Sequence, residues 1–159
     1  MEYFEPIVPF FMEERSMIEV AISMPGRFYG DAITKALEQT GNFRVRVLDE
    51  NRFIGDGGAK SIECSKWISA GGFLETRYGP DVALLGVSVV RGYTLGDREN
   101  LIRKIRENAS ECRIVLFLDE EVSREQTDGV KSLKQAKVID GFLYASGTMD
   151  YLVATLESI

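Results

Sequence analysis

The sequence predicts a doubly wound α/β domain in which five parallel strands alternate with five helices. Two observations carry that expectation. The first is the stretch Pro80-Asp81-Val82-Ala83-Leu84-Leu85-Gly86-Val87-Ser88-Val89-Val90, an apolar run opened by Gly79-Pro80 and closed before Arg91-Gly92. It lacks polar alternation, as does a strand buried on both faces in the middle of a parallel sheet. The second is the order of the other segments, in which short β-type runs and amphipathic helical stretches take turns. The right-handed crossover rule, with two-faced burial of the third strand, favours the strand order 2-1-3-4-5.

Taken in order, residues 1–16 stand outside this alternation as an arm, and residues 17–159 form the domain. The arm is rich in large apolar groups (Tyr3, Phe4, Ile7, Val8, Phe10, Phe11, Met12), is broken by Pro6 and Pro9, and ends in Glu13-Glu14-Arg15. So much apolar surface is rarely left in water, so the arm is expected to cover the domain itself or another chain. Met17 to Ser23 reads as the first strand, and Met24-Pro25-Gly26 as a turn. A helix follows to Gln39 with Ala32, Ile33, Ala36 and Leu37 on one face, stopped by Thr40-Gly41-Asn42. Phe43 to Leu48 alternates as the second strand, Asp49 to Gly58 is a loop, and Ala59 to about Ala70 a second helix bearing Ile62 and Trp67. After the central run, Arg91 to Asp97 reads as a polar loop. Arg98 to Asn108 reads as a charged helix with Leu101, Ile102 and Ile105 inward. Its basic set, Arg98, Arg103, Lys104 and Arg106, is interleaved with Glu99 and Glu107 and reads as a solvated face with local ion pairs. Arg113 to Leu118 is the fourth strand. Ser123 caps a fourth helix running to about Gln135, with Gln126 three residues on. Val138 to Ala145 is the fifth strand. Thr148 caps a last helix whose Met149, Leu152, Val153 and Leu156 share a face.

Composition removes several function classes. At 159 residues the chain is one domain, with an ordinary 45% hydrophobic and 28% charged content. A formal charge of -6 argues against a nucleic-acid footprint, since phosphate contacts need clustered Lys and Arg. No apolar run approaches the roughly 18 residues needed to span a bilayer, and the N-terminus lacks the basic start of a secretory signal. Two cysteines, Cys64 and Cys112, are too few for a disulfide framework and fit a reducing cytoplasm. There is no histidine, which removes histidine-based triads and the usual zinc sites.

The run "PDVALLGV" resembles the central strand of bacterial response-regulator receiver domains, which reads Pro-Asp, four apolar residues, then the phosphorylated Asp. The resemblance extends over roughly Ile18 to Ile159, and "DGFLYAS" is similar to the family's Asp-Tyr-Leu-Thr-Lys-Pro ending. It implies the flavodoxin-like (CheY-like) form of the doubly wound sheet. It also implies where the chemistry should be: an acidic pair for Mg²⁺ after the first strand, the acceptor Asp after the third, a hydroxyl after the fourth and a Lys after the fifth. In this sequence those positions fall on Met24 and Pro25, Gly86, Leu118 and Ala145. All are replaced, and the loop after the third strand is about four residues longer than usual. The resemblance therefore implies an atypical, or pseudo-, receiver: a regulatory domain related to two-component signal transduction that is neither phosphorylated nor an enzyme. It implies action as an interaction and dimerisation module, through the face of the fourth helix, fifth strand and fifth helix. Such domains also stand ahead of ParA/MinD-like ATPases that position pilus machinery, so the resemblance includes service as the N-terminal domain of a larger protein. The residues expected at the working face are Phe142, Tyr144, Tyr151 and Ile159, because large side chains off the inward stripe are favoured interface anchors.

Other constellations are weaker. "GDGGAKS" (Gly55 to Ser61) lacks the contiguous Gly-Lys-Ser of a phosphate loop, because Ala59 intervenes. "SMPGRFYG" (Ser23 to Gly30) lies where an anion could meet a helix start but lacks a hydroxyl-rich run. Asp119, Glu120 and Glu121, with Asp49 and Glu50, read as solvated loop acids, and no cofactor or metal is expected. The competing reading is a small-molecule-binding or enzymatic flavodoxin-like domain using open loops near Met24 to Gly30 and Arg91 to Asp97.

Overall fold

A computed structural model describes residues 17–47 and 80–159. The arm, the loop from Asp49, the helix predicted over Ala59 to Ala70 and the "GDGGAKS" stretch lie outside the described residues. The elements are β1 (Ile18–Ser23), α1 (Arg27–Gln39), β2 (Phe43–Val47), β3 (Val82–Val87), α2 (Leu95–Asn108), β4 (Arg113–Leu118), α3 (Arg124–Gln135), β5 (Gly141–Tyr144) and α4 (Met149–Ser158). The strands form one parallel sheet in the order β2-β1-β3-β4-β5. This is the expected order, with β3 in the middle.

The central strand explains why the sheet is covered on both sides. Its alternate residues Ala83, Leu85 and Val87 enter one core with Leu101, Ile102 and Ile105 of α2, Ile114, Leu116 and Leu118 of β4, and Val130 of α3. Val82 and Leu84 enter the other, with Ile33 and Leu37 of α1 and Leu152 and Leu156 of α4. Leu84 and Leu85 are wholly buried on opposite faces, and each such side chain contributes about 1.5–3 kcal/mol. Among the described residues no helix is long and apolar enough to cross a membrane.

Three element ends differ from the sequence reading by more than one residue. The central strand stops at Val87, and Val89 and Val90 are about half exposed at 53% and 50%. Ser88 turns the chain there, its Oγ accepting the Val90 N–H at 3.0 Å. The next helix begins at Leu95 rather than Arg98, because Thr94 and Asp97 close a reciprocal capping box. The fifth strand begins at Gly141, since Lys137 adopts a left-handed φ of 63° and Val138 to Asp140 complete the turn.

Two helix contacts fix α2 against its neighbour. Gln126 Oε1 accepts the Leu95 N–H at 2.8 Å, and a Cβ on Gly129 would lie only 2.7 Å from Leu95 Cδ2. At the other end of α2, Arg106 is not on a solvated face but is a clamp. Its guanidinium donates to Val138 O (3.1 and 2.9 Å), Cys112 O (3.0 Å) and Asp140 Oδ2 (3.0 Å). Burial pushes the Cys112 thiol up to about 12, so it packs as a neutral group.

Asp140 also accepts the Ile114 N–H at 2.8 Å and faces Arg113 at 3.5 Å. Partial burial raises its carboxyl pKa, but the Ile114 N–H and the two arginines outweigh that and hold it below the usual value. A depressed carboxylate stabilises the fold above its unfolded pKa of about 3.9 and loses that contribution as pH falls through the lower folded value. Asp140→Asn should therefore cost about 1–3 kcal/mol in denaturant unfolding at pH 7. It should also lose less stability than the parent between pH 5 and 2, and equal acid sensitivity in the two proteins would contradict this.

Candidate functional site

In open α/β sheets a site forms beyond the carboxyl ends of the strands, where the order reverses. Here that place is the gap between β1 and β3, and side chains fill it. Ser23, the last residue of β1, is wholly buried. Met24 follows at 6% exposure, with Pro25 half-buried beside it. Across from them, Gly86 on β3 has no room for a side chain. A Cβ there would lie 2.7 Å from Pro25 Cδ and 2.9 Å from Met24 Sδ, and a proline ring carbon beside its own backbone yields little. Glycine is kept at 86 by the close approach of the β1–α1 turn.

The gap is closed by a residue that the sequence reading placed on the solvated face. Arg98 is 1% exposed. Its Nε donates to Gly86 O at 2.8 Å, and Nη2 donates to Ser23 O at 3.0 Å and Ser23 Oγ at 2.9 Å. The ring of Tyr93, itself 3% exposed, covers the guanidinium with its centroid 4.4 Å from Cζ. A cation is thus held in the first turn of α2, the end at which the helix dipole disfavours it by about 0.3–1 kcal/mol. Three hydrogen bonds to a charged donor, each worth about 1.5–3 kcal/mol, outweigh that term. A guanidinium suits the place because its planar fork reaches two strands at once; the single ammonium of lysine would not.

The loop that carries Tyr93 is built to hold it there. Ser88 N donates to Tyr93 O at 2.8 Å, and Tyr93 N to Val90 O at 2.9 Å. Gly92 takes a φ of 97° and its N–H meets Asp97 Oδ2 at 2.9 Å. Residues 88–94 after the central strand form this tight return, so the loop Arg91 to Asp97 is folded back on itself where the competing small-molecule reading expected it open. Outside the closed gap, Phe28 is 80% exposed on the first turn of α1, at the same end of the sheet as Val89 and Val90. Its ring meets Tyr29, which in turn meets Phe117.

The structure brings Met24, Pro25 and Gly86 together. Leu118 is buried in the core beneath α2, and its carbonyl accepts the Ala145 N–H at 2.8 Å. Asp119 bonds the Glu120 N–H at 2.7 Å within its own turn. Among the described residues no group of three or more acids or cysteines is placed to hold a metal. The expected interface residues lie on or beside β5 and α4. Phe142 is half-buried and edge-on to Tyr144 at 5.8 Å, while Tyr144 (46%), Tyr151 (62%) and Ile159 (36%) are exposed.

Arg98 was within reach of the sequence. Positions 98, 101, 102 and 105 form an i, i+3, i+4, i+7 stripe, and its other three members are core residues. Tyr93, Thr94 and Phe28 carried no such signal.

No family model and no curated protein sequence matches the chain. Solved structures do. The receiver domain of AraT, a response regulator from Geobacillus stearothermophilus, aligns over 89% of this chain and 94% of its own, at 12% identity and a TM-score of 0.57. The response regulator RcsB of Salmonella typhimurium aligns over 90% of this chain and 60% of its own, at 15% identity and 0.59. A Rhodopirellula baltica chain described as an adenylate cyclase aligns over 89% and 86%, at 10% identity and 0.58. At these identities the likeness establishes the fold alone. That fold is the CheY-like one of receiver domains.

Arg98→Lys keeps the charge and loses the fork, so it should destabilise the domain nearly as much as Arg98→Ala. Leaving the buried Ser23 and Gly86 acceptors unpaired costs about 1–3 kcal/mol each. Denaturant midpoints of the two variants test it, and a lysine variant as stable as the parent would contradict the assignment.

Proposed function

We propose that the chain is a pseudo-receiver, a signalling module that works by protein interaction without phosphoryl transfer. The observation that carries this reading is the filled gap: Gly86 packed against Met24 and Pro25, with the Arg98 guanidinium spanning from Ser23 to Gly86. Acyl-phosphate formation needs a carboxylate nucleophile, a metal and a neutralising cation together, and groups of that kind act as a unit. At Met24, Pro25, Gly86, Leu118 and Ala145 the chain offers none of them. The fixed guanidinium also argues for a domain held in one state, so its binding is constitutive.

The working surface in this proposal is the face of α3, β5 and α4. Exposed aromatic side chains are favoured anchors, and Tyr144 and Tyr151 flank the turn at Gly147, where an added Cβ would lie 3.9 Å from the Tyr151 ring and 3.3 Å from Tyr144 O. Phe142 stiffens Tyr144 from the core side, and Ile159, at the far end of α4, is a separate exposed contact in the same proposal. A homodimer through this face is the simplest occupant, in a cytoplasmic regulator or in the N-terminal domain of a larger protein such as a ParA/MinD-like pilus-positioning ATPase. No nucleic-acid partner is proposed, since the chain carries a net charge of -6.

One experiment has two arms. Acetyl phosphate or beryllofluoride with Mg²⁺ should label neither the native chain nor Gly86→Asp, as read by intact-mass and fluorine spectra. Replacing Tyr144 and Tyr151 by Ala should weaken self-association by roughly several hundredfold in sedimentation, given that interface anchors contribute about 2 kcal/mol each. Stoichiometric labelling, or a parent that stays monomeric at every concentration, would overturn the corresponding half of the proposal.

A further inference from the structure

Above the closed β1–β3 gap, the carboxyl ends of the strands carry exposed apolar side chains near the middle of the sheet. Phe28 is 80% exposed, and Val89 and Val90 are 53% and 50% exposed. The two valines follow directly on the central strand and the Ser88 turn. Phe28 is drawn toward the same place because α1 starts across the sheet. Tyr29 meets Phe117 of β4 with ring centroids 5.4 Å apart, and Phe28 meets Tyr29 at 5.6 Å. Large apolar groups gathered at one end of a domain mark an interaction site.

Charges of both signs stand beside this apolar centre. Arg91 is exposed on the loop after β3, and Glu120 and Glu121 are exposed on the loop after β4. None of the three side chains enters an ion pair among the described residues. Backbone bonds hold both loops in place. Tyr93 N donates to Val90 O at 2.9 Å, Asp119 N to Val87 O at 3.0 Å, and Val122 N to Asp119 O at 3.2 Å. Since β3 and β4 are neighbours, about 5 Å separates the strands from which the two loops leave. A rim that joins a cation, two carboxylates and an apolar centre carries both halves of its own complement. That is what an isologous contact between two copies requires, and a second copy supplies it without any other protein.

We propose that two copies of the chain meet head to head through these strand ends, about a two-fold axis normal to the sheet near β3 and β4. Such an axis exchanges the places of β3 and β4, so Arg91 of each copy faces Glu120 and Glu121 of the other. Phe28, Val89 and Val90 of both copies form the centre. The contact is small beside the roughly 1,200–2,000 Å² of a tight interface, so it forms at high protein concentration and weakens with salt. It uses neither Tyr144 nor Tyr151 and does not rest on the signalling proposal.

Sedimentation of the full chain carrying Tyr144→Ala and Tyr151→Ala tests it, because the β5–α4 face is then silent and the two proposals are read apart. In that background Arg91→Glu, and separately Glu120→Lys with Glu121→Lys, should each weaken self-association by about tenfold or more, since each sets like charges opposite one another. Mixed in equal amounts, the two variants should recover the association of the background to within about threefold, because every facing pair is again of opposite sign. Phe28→Ala in both should cut that recovery by about tenfold. The substituted side chains are exposed, and unchanged thermal midpoints confirm that the fold is kept. A background that stays monomeric at every concentration, rim variants that associate as it does, or a mixture no tighter than its components would overturn the head-to-head contact.

Discussion

The guanidinium of Arg98 sits where two strand ends, a turn and a helix start meet, and each depends on it. Ser23 and Gly86 present carbonyl oxygens into a space closed to solvent, where an unpaired acceptor costs about 1–3 kcal/mol. Arg98 satisfies both, together with the Ser23 hydroxyl, and Tyr93 covers its open face. The long return from Ser88 to Thr94 sets Tyr93 over the guanidinium, and the Thr94–Asp97 capping box starts α2 early enough for residue 98 to face inward. Gln126 and Gly129 then fix the start of α2 against α3. Gly86 belongs to the same arrangement, since Met24 and Pro25 take the space a side chain there would need.

Charge and shape decide together what this end of the sheet can do. A pocket for a divalent cation wants carboxylate oxygens and open coordination positions. The β1–β3 gap instead contains an arginine, a buried serine and apolar groups from the β1–α1 turn. A cation built into the chain needs no ligand to hold it, and it leaves with no product. That is the physical basis for expecting one state rather than two, because a switch requires a ligand with differential affinity for its two forms. What remains available is the outer surface, above all the exposed tyrosines beside β5.

The fold was legible because its signal is one of pattern. "PDVALLGV" has no polar alternation, and Val82 to Val87 are buried on both faces as that implies. Ser123 and Thr148 do cap their helices, at Gln126 N and Tyr151 N. The site was only half legible. The resemblance drew attention to Met24, Pro25 and Gly86, and the structure does bring those three together. The buried cation has a sequence signal of the same kind, since Arg98 lies on the same helical stripe as Leu101, Ile102 and Ile105. Charge and periodicity point opposite ways at residue 98, and an arginine can be core when it reaches strand-end carbonyls. The apolar run outlasts its strand by three residues for the same reason in reverse: Val89 and Val90 are apolar but exposed, since the Ser88 hydroxyl turns the chain before them. Nothing local in the sequence indicates that Tyr93 covers a cation, because that contact exists only once the loop has closed.

The measurement closest to the centre of this account is the exchange of the Arg98 Nε proton with water, followed by side-chain nitrogen NMR in the presence and absence of Mg²⁺. A guanidinium bonded to Gly86 O and sealed by Tyr93 should give a resolved resonance. It should exchange about a hundredfold or more slowly than the exposed Arg103 and Arg124, since release would require local unfolding. Mg²⁺ should leave that resonance where it is. Exchange at the rate of the exposed arginines, or a saturable shift on adding Mg²⁺, would contradict a built-in cation at the β1–β3 gap.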